Sequence, residues 1–245
     1  MGCVRKNNED NARFTFLKGS KFNFIAVIAD GMGGYERGEE ASEAMVEQLC
    51  AGNGKDHRNM GRNPKRWLLE RFSKANGDIF ALSQKYGETM GTTCSTLLIW
   101  NKRLWCAHIG DSRIYMFSKG NLTQITCDHT VVGMMKRSGG ITAEEASVHP
   151  QRSVLTKAVG TSARIAPDIF NVKQRVQKGD RFLLCSDGLY DLVSDAEICS
   201  IITQKSLKQA AASLITTAKE YGGDDNVTVV LVEITHKTEE QYEHK

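Results

Sequence analysis

The stretch that decides the fold is Phe22-Asn23-Phe24-Ile25-Ala26-Val27-Ile28-Ala29-Asp30-Gly31-Met32-Gly33-Gly34. Its first eight residues alternate between apolar and polar side chains and then become continuously apolar, which predicts a strand buried on one or both faces. We expect this strand to end at Asp30. The residues that follow, from Glu36 to Leu49, place apolar side chains at helical spacing and predict an amphipathic helix.

Short strands dominate the middle of the chain, and helices return near its end. A second helix is predicted from Trp67 to Tyr86, where apolar residues again recur at helical spacing. Runs of β-branched and aromatic residues between Thr92 and Thr126 favour antiparallel hairpins, because a parallel crossover needs about a dozen residues. Residues 128–152 are interpreted as a surface flap with a short helix at Thr142 to Ser147, where Thr142 caps the helix and Glu145 stands at its third position. After the flap, the pattern predicts two strands, two helices and a last strand. This order predicts an α+β fold with antiparallel sheets and helices packed outside them.

The composition excludes several classes of protein. The 245 residues include 32 Lys and Arg against 29 Asp and Glu, and 40% of them are hydrophobic, which is typical of a globular chain. The net charge of +3 argues against a nucleic-acid partner. No apolar run reaches the roughly 18 residues that span a bilayer, so we expect no membrane partner. Seven cysteines without C-x-x-C spacing indicate reduced thiols in a cytoplasmic protein.

Aspartates recur at the ends of the apolar strands. Asp30 and Asp187 each follow an apolar run and precede glycine, Asp111 lies between two predicted strands, and Asp225 comes just before the last one. A single Asp-Gly pair is typical of a hairpin turn. The approach to Asp187 through residues 182–185, however, is too apolar for a solvated hairpin tip. We therefore expect these carboxylates to converge on one cleft.

Such a cleft needs cations, because four or five neighbouring carboxylates repel one another. Hard divalent ions take oxygen ligands, so the cluster favours Mg²⁺ or Mn²⁺ over zinc, which prefers His and Cys. Gly31 lets the backbone come close enough to offer its carbonyl as a ligand. Two ions about 4 Å apart that share one carboxylate lower the pKa of a bridging water to near neutrality. The pattern therefore predicts a hydrolytic site for phosphate esters.

Seven short motifs also occur in an order that is typical of one family. They extend from residue 2 to about residue 234, and the ordered set is far more specific than any single motif. The motifs are Gly2-x-x-Arg5-x-x-Asn8-Glu9-Asp10, Asp30-Gly31-Met32-Gly33-Gly34 with Gly38-Glu39 and Ala41-Ser42, Gly91-Thr92-Thr93, Gly110-Asp111-Ser112-Arg113, Asp128-His129, Ser186-Asp187-Gly188-Leu189 with Asp191, and Gly223 with Asp225-Asn226-Val227-Thr228. The sequence resembles the metal-dependent type-2C serine/threonine protein phosphatases, and its Asp-Gly-Met-Gly-Gly form resembles their bacterial branch.

The resemblance implies two packed antiparallel β-sheets flanked by helix pairs, a four-layer α-β-β-α sandwich. It also implies at least two Mn²⁺ or Mg²⁺ ions in each chain. By similarity, Asp30 bridges the two ions and the carbonyl of Gly31 completes the first site. Asp187 and Asp225 would hold the second ion.

Further roles follow from the same resemblance. A third, weaker metal site would be formed by Asp111, Asp187 and Asp191. The resemblance also implies supporting contacts to the metal site from Glu9, Asp10 and Asn226. Glu9 and Asp10 would make theirs through bound water. Arg5 would bind the substrate phosphate with its bidentate guanidinium, a geometry that suits arginine better than lysine.

The implied reaction is a single in-line displacement by hydroxide, with no phosphoenzyme. The sequence supports this independently, because no cysteine is followed by arginine at the six-residue offset of a cysteine-phosphatase loop. Many eukaryotic members carry histidine directly after the Asp-Gly pair as a general acid. Here Met32 stands at that position, so the proton donor is left unassigned. His108 lies within an apolar strand and is interpreted as a core residue.

These features predict a catalytic domain over residues 1–235 and a charged tail over residues 236–245. The expected partners are phosphorylated proteins and a cognate Ser/Thr kinase, and the expected state is a monomer. We expect the flap, residues 128–152, to carry specificity. The alternative is a catalytically silent phosphatase-like module that binds or senses a partner. Loss of a metal-binding aspartate would favour that alternative, and none is lost.

Overall fold

The structure is a computed structural model that describes residues 2–17, 23–33, 37–51, 59–173 and 176–235. The predicted tail, residues 236–245, lies outside these ranges, as do Phe22 and Gly34 of the opening stretch and Glu36 at the start of the predicted helix. The strands are β1 (Asp10–Phe16), β2 (Phe24–Gly33), β3 (Met90–Thr92), β4 (Cys94–Trp100), β5 (Arg103–Ile109), β6 (Arg113–Ser118), β7 (Asn121–Gln124), β8 (Asp168–Val172), β9 (Arg181–Cys185) and β10 (Val229–Glu233). The helices are α1 (Gly38–Cys50), α2 (Pro64–Tyr86), α3 (Val131–Arg137), α4 (Ala143–Ser147), α5 (Asp187–Tyr190), α6 (Asp195–Gln204) and α7 (Leu207–Glu220). Among them, none has the length and apolar content needed to cross a bilayer.

The strands form two antiparallel sheets. One has the order β1-β2-β4-β5-β8, with β3 also paired to β2, and the other has the order β10-β9-β6-β7. Alternate residues of a strand point to opposite faces of its sheet, so Val27 packs toward α1 and α2 while Ile28 packs toward the second sheet. On the outer face of that second sheet, Leu183 packs with Ile198 of α6 and Leu214 of α7. These three apolar layers confirm the predicted four-layer sandwich.

One boundary in the opening stretch was predicted wrongly. Strand β2 does not end at Asp30 but continues to Gly33. The extra residues are stabilised by the short strand β3, which pairs Gly31 with Thr92. The sequence pattern merged β3 with β4, and the partner that extends β2 was therefore hidden.

The flap contains one helix that the sequence predicted and one that it did not. Thr142 caps α4, and the side chain of Glu145 accepts the Thr142 backbone N–H, as a capping box requires. Helix α3 was missed, because it is short and contains Gly133. It begins after Thr130, whose hydroxyl accepts the N–H of Gly133 at 3.0 Å. Both helices line a cavity that the predicted site residues Asp111, Asp187 and Asp191 also line.

Candidate active site

One cleft gathers nearly all of the residues that the sequence predicted for the site. It has a volume of about 610 Å³ and lies at the end of the sheets where β1 and β10 begin and β5 and β9 end. Its walls include Arg5, Glu9, Asp30, Gly31, Asp111, Asp187, Asp191, Asp225 and Asn226. The tenth residue, Asp10, is buried beside the cleft and does not line it. The expected convergence of the carboxylates is therefore present in the fold.

The backbone of Asp30 is held on both sides. Asp10 of β1 is its register partner in the sheet. The Asp30 N–H donates to Oγ1 of Thr93 at 3.0 Å, and its carbonyl accepts from Oγ1 of Thr92 at 2.9 Å. Both threonines belong to a quoted motif, but sequence reasoning gave them no role. They fix the main chain from which the Asp30 carboxylate reaches the cleft.

Gly31 lies where the main chain of another segment leaves no room for a side chain. A Cβ at this position would lie 2.1 Å from the carbonyl oxygen of Gly38 and 2.7 Å from that of Glu9. The N–H of Gly31 also donates to the Glu9 carbonyl at 3.1 Å. Glycine is therefore required by packing as well as by the access that its carbonyl needs.

Asp10 has one satisfied and one unsatisfied carboxylate oxygen. Oγ of Ser186 donates to Oδ2 at 2.7 Å, and the same hydroxyl accepts the N–H of Thr228 at 3.1 Å. Oδ1 is buried and has no hydrogen-bond partner among the described residues. A buried oxygen without a partner is costly, at about 1–3 kcal/mol. This oxygen therefore marks a place where water or a cation fits.

The amino-terminal segment and the segment before β10 meet at the cleft. Nη2 of Arg5 lies 2.7 Å from Oδ2 of Asp225, and both side chains are partly exposed. Asn226 joins the segments, because its Oδ1 accepts the N–H of Glu9 at 2.9 Å and its Nδ2 donates to the carbonyl of Asn7 at 3.0 Å. Arg5 is thus bound to a carboxylate that the resemblance assigned to an ion.

Glu9 connects the start of β1 to the start of α1. Its Oε1 accepts the N–H of Gly38 at 3.1 Å, and its carbonyl accepts from Oγ of Ser42 at 2.6 Å. Burial raises the pKa of the Glu9 carboxyl group. One of its two carboxylate oxygens is therefore engaged by the protein, and the other has no hydrogen-bond donor among the described residues to compete with water.

Asp111 and Asp191 lie on the side of the cleft nearest the flap. Asp111 is buried, and its carbonyl accepts from the hydroxyl of Tyr190 at 3.1 Å. The guanidinium carbon of Arg113 lies 3.5 Å from the centre of the Tyr190 ring. Asp191 is exposed and lies 3.7 Å from Nε of Arg152, a residue of the flap. Two members of the predicted third set of carboxylates therefore lie where the flap meets the cleft.

The carboxylates of the cleft raise one another's pKa values. Burial and the neighbouring Asp225 and Asp191 raise the pKa of Asp187 to about 7. Burial, and then the charges of neighbouring aspartates, hold the pKa values of Asp30 and Asp111 well above the usual range. Ionising all of them together requires compensating positive charge.

The donors fit divalent cations that retain water. Carboxylate oxygens and a glycine carbonyl suit Mg²⁺ and Mn²⁺ better than softer metals. Within the part of the chain that the structure describes, no three acidic, imidazole or thiol side chains close around a point on their own. Mg²⁺ sites in proteins commonly use one or two carboxylates, with water supplying further ligands.

The histidines near the cleft lie in its supporting structure. Nδ1 of His129 accepts the N–H of Gly110 at 3.1 Å, and the N–H of His129 donates to the Gly110 carbonyl at 2.8 Å. His108 is fully buried, with Nδ1 2.9 Å from Oγ of Ser95, and burial lowers its pKa to about 4. Neither histidine lines the cleft, whereas Met32 does. The interpretation of His108 as a core residue is confirmed.

The comparison with known sequences agrees with this geometry. A family model described as protein phosphatase 2C matches residues 4–231. The chain belongs to the protein phosphatase 2C family. The serine/threonine phosphatase stp of Listeria welshimeri is 36% identical over 237 residues, which are 95% of this chain and 92% of that protein.

Solved structures extend the similarity to three dimensions. The crystal structure of the serine/threonine phosphatase PstP/Ppp of Mycobacterium tuberculosis has a TM-score of 0.83 and 37% identity, with 96% of this chain and 95% of that chain covered. A PstP catalytic domain solved in complex with two manganese ions has a TM-score of 0.79 and 34% identity, with the same coverage of both chains.

Proposed function

We propose that this chain is a metal-dependent protein phosphatase that hydrolyses phosphoserine and phosphothreonine in proteins. The observation that carries the proposal is the convergence of Asp30, Asp111, Asp187 and Asp225 on one cleft beside Arg5. Family membership supports it, as does the presence of manganese in a structure of similar fold. Carboxylates that are ionised together in one cleft need compensating positive charge. This need is the physical reason why the proposed reaction depends on metal ions.

The proposed ion-binding residues are those that the family resemblance implies, and all of them line the cleft. Asp30 and the carbonyl of Gly31 would hold the first Mn²⁺ or Mg²⁺ ion, and Asp187 and Asp225 would share the second with Asp30. When bound, the two ions act as Lewis acids and lower the pKa of a water molecule that attacks phosphorus. The unsatisfied oxygen of Asp10 supports an ion or an ion-bound water nearby.

A third ion is proposed at the flap side of the cleft. Its ligands would be Asp111, Asp187 and Asp191, of which only Asp191 has an ion pair to another described residue. Glu9, Asp10 and Asn226 would order the water around the ions. Because Asp191 is exposed and already paired with Arg152, we expect this third site to bind more weakly than the other two.

Arg5 is proposed to bind the phosphoryl group of the substrate. Its guanidinium carries parallel N–H donors that match two phosphoryl oxygens. The ion pair with Asp225 is partly exposed, and such pairs contribute only about 0–1 kcal/mol. A dianionic phosphate therefore competes well for Arg5, particularly when Asp225 is engaged by a cation.

The leaving serine or threonine alkoxide takes its proton from a metal-bound water or from another group of the cleft in this proposal. Met32 occupies the wall of the cleft where many eukaryotic members carry histidine, and a thioether has no proton to donate. No histidine is present among the described residues that line the cleft.

We further propose that residues 1–235 act as one monomeric catalytic domain in the cytoplasm. The cleft is built from segments of a single chain, from Arg5 to Asn226. All seven cysteines are free thiols, which is typical of a reducing compartment. The substrates would be phosphoproteins made by a cognate Ser/Thr kinase.

Phosphate release from a phosphothreonine peptide tests the proposed function. We expect turnover with added Mn²⁺, none in excess EDTA, and a loss of at least about 100-fold in Asp30→Asn, the size expected when a residue central to charge stabilisation is removed. Asp78→Asn is the matched control, because Asp78 lies on α2 in an exposed ion pair with Lys74. Full activity in EDTA or in Asp30→Asn would contradict the proposal. Metal binding by calorimetry without any turnover would favour the silent module instead.

A further inference from the structure

A second cavity adjoins the catalytic cleft under the flap. Its volume is about 480 Å³, and helices α3 and α4 contribute to its walls. It shares five residues with the cleft, namely Asp111, Arg152, Ser153, Asp187 and Asp191. A peptide whose phosphorylated side chain enters the cleft therefore has flanking residues within reach of this second cavity.

The charges of this cavity are separated: Asp111, Asp187 and Asp191 lie on the side shared with the cleft, and the cations Lys136 and Arg137 lie on the flap side. Asp128, the fourth carboxylate that lines the cavity, is already neutralised by Arg113, which donates to both of its oxygens, and it also accepts from Gln124 at 2.8 Å. Arg137 uses one N–H on the carbonyl of Asp128 at 2.9 Å, and its other donors are available. Lys136 is exposed, and its ammonium group has no ion pair or hydrogen bond with any described residue.

The same cavity has an apolar floor beneath these cations. Val132 of α3 and Ala146 of α4 line it, and both are buried. An apolar floor under a cationic rim suits a side chain that carries a negative group on a short methylene stem. The side of the cavity shared with the catalytic cleft does not suit such a side chain, because Asp111, Asp187 and Asp191 lie there and would repel a second anion.

We infer that this second cavity binds an acidic residue that flanks the phosphorylated serine or threonine of the substrate. The inference rests on the proposed function and assigns Lys136 and Arg137 as specificity residues of the same enzyme. The phosphate enters the cleft with Arg5, while the neighbouring Glu or Asp side chain lies against the last turn of α3. The flap then selects among phosphoproteins by the charge around the phosphorylated residue.

The test uses sets of phosphothreonine peptides in which one flanking position at a time is Glu, Gln or Lys. At the position that reaches the cavity, we expect kcat/KM to be about threefold or more higher for the Glu peptide than for the Lys peptide, the size of an exposed ion pair. Lys136→Glu together with Arg137→Glu should abolish or reverse this ratio. The ratio should also shrink as salt is added, because the charges are exposed to solvent.

The ratio compares two peptides with the same variant, so a general loss of activity in that variant lowers both kcat/KM values equally and leaves the ratio unchanged. Lys208→Glu on α7 is the matched control, because Lys208 is exposed and lines neither cavity, and it should leave the ratio at its wild-type value. Equal kcat/KM for the three peptides at every position, or an unchanged ratio in the double variant, would overturn the inference. Failure of the wild type to hydrolyse even p-nitrophenyl phosphate with Mn²⁺ would instead overturn the proposed function, and the inference with it.

Discussion

Nη2 of Arg5 lies 2.7 Å from Oδ2 of Asp225, so the side chain proposed to bind phosphate is joined to a side chain proposed to bind metal. The two residues are 220 positions apart in the sequence. On these proposed roles, a cation at Asp225 would weaken the attraction that holds Arg5 and make the guanidinium available to the substrate. Metal binding and phosphate binding would thereby be linked through one ion pair.

We expect Arg5→Ala to lower kcat/KM for a phosphopeptide by about 10- to 100-fold, since a hydrogen bond to a charged group contributes about 1.5–3 kcal/mol. Arg5→Lys should recover only part of this loss, because an ammonium group lacks the bidentate geometry. Steady-state kinetics with saturating Mn²⁺ measure both effects. Arg66→Ala is the control, because Arg66 makes an exposed ion pair of the same 2.7 Å length with Glu70. Equal losses in the Arg5 and Arg66 variants would refute the assigned role.

Two glycine-to-alanine substitutions should have opposite effects on stability. At Gly31 a Cβ would lie 2.1 Å from the carbonyl oxygen of Gly38, so Gly31→Ala should destabilise the fold by several kcal/mol. Gly77 lies within α2, and nothing is found within 4 Å of an added Cβ. Gly77→Ala should therefore stabilise the chain by about 0.5–1 kcal/mol. Urea denaturation of both variants measures the difference, and a Gly31→Ala chain as stable as the wild type would contradict the packing.

Removing one acid from the cleft should stabilise the metal-free chain. The pKa of Asp187 is raised from 3.8 to about 7, so its contribution to stability is lost as the pH rises through that interval. Asp187→Asn should therefore raise the free energy of unfolding in EDTA at pH 7.5 by on the order of 2 kcal/mol. It should also weaken the stabilisation that Mn²⁺ gives the wild type.

Urea titrations in EDTA and in Mn²⁺ check both parts of this prediction. Asp78→Asn, which changes an exposed aspartate on α2, should alter neither curve by more than about 0.5 kcal/mol. A less stable Asp187→Asn chain in EDTA would show that the carboxylate is already compensated without metal.

The buried His108 should make the fold sensitive to acid. Its pKa is about 4 in the folded chain and 6.5 in its ordinary state, so the unfolded chain takes up a proton first as the pH falls. The free energy of unfolding should drop between pH 6.5 and 4, by as much as about 3 kcal/mol from this group. His108→Gln should flatten that part of the profile relative to the wild type. Denaturant titrations at pH 7, 6 and 5 provide the measurement, and parallel profiles would argue against the assignment.

Sequence patterns predicted that the carboxylates converge on one site, but they did not predict the contacts that hold those residues in place. The apolar run before Asp187 and the glycine after it indicated a buried strand end, and the cleft is found there. The bond from Ser186 to Asp10 spans 176 residues, and no local pattern encodes such a distance. Ser186 belongs to one of the motifs that carry the family resemblance. That membership was the sequence signal for its importance.

Errors in the predicted elements have a similar origin. Strand β2 extends past Asp30 because β3 supplies a partner, and pairing with a distant segment leaves no trace in the periodicity of either one. Helix α5 has four residues, too few for an apolar repeat to show. The capping box at Thr142 was predictable because all of its hydrogen bonds lie within four residues.

The meeting of the amino-terminal segment with the segment before β10 also has a consequence for synthesis. The N–H of Cys3 donates to the carbonyl of Gly223 at 2.7 Å, and Asn226 binds both Asn7 and Glu9. On the ribosome, Arg5 is synthesised 220 positions before Asp225, so the cleft is incomplete until that residue has been made. On the proposed roles, a chain terminated before Asp225 would be inactive, and a nascent chain would not act on phosphoproteins before that point.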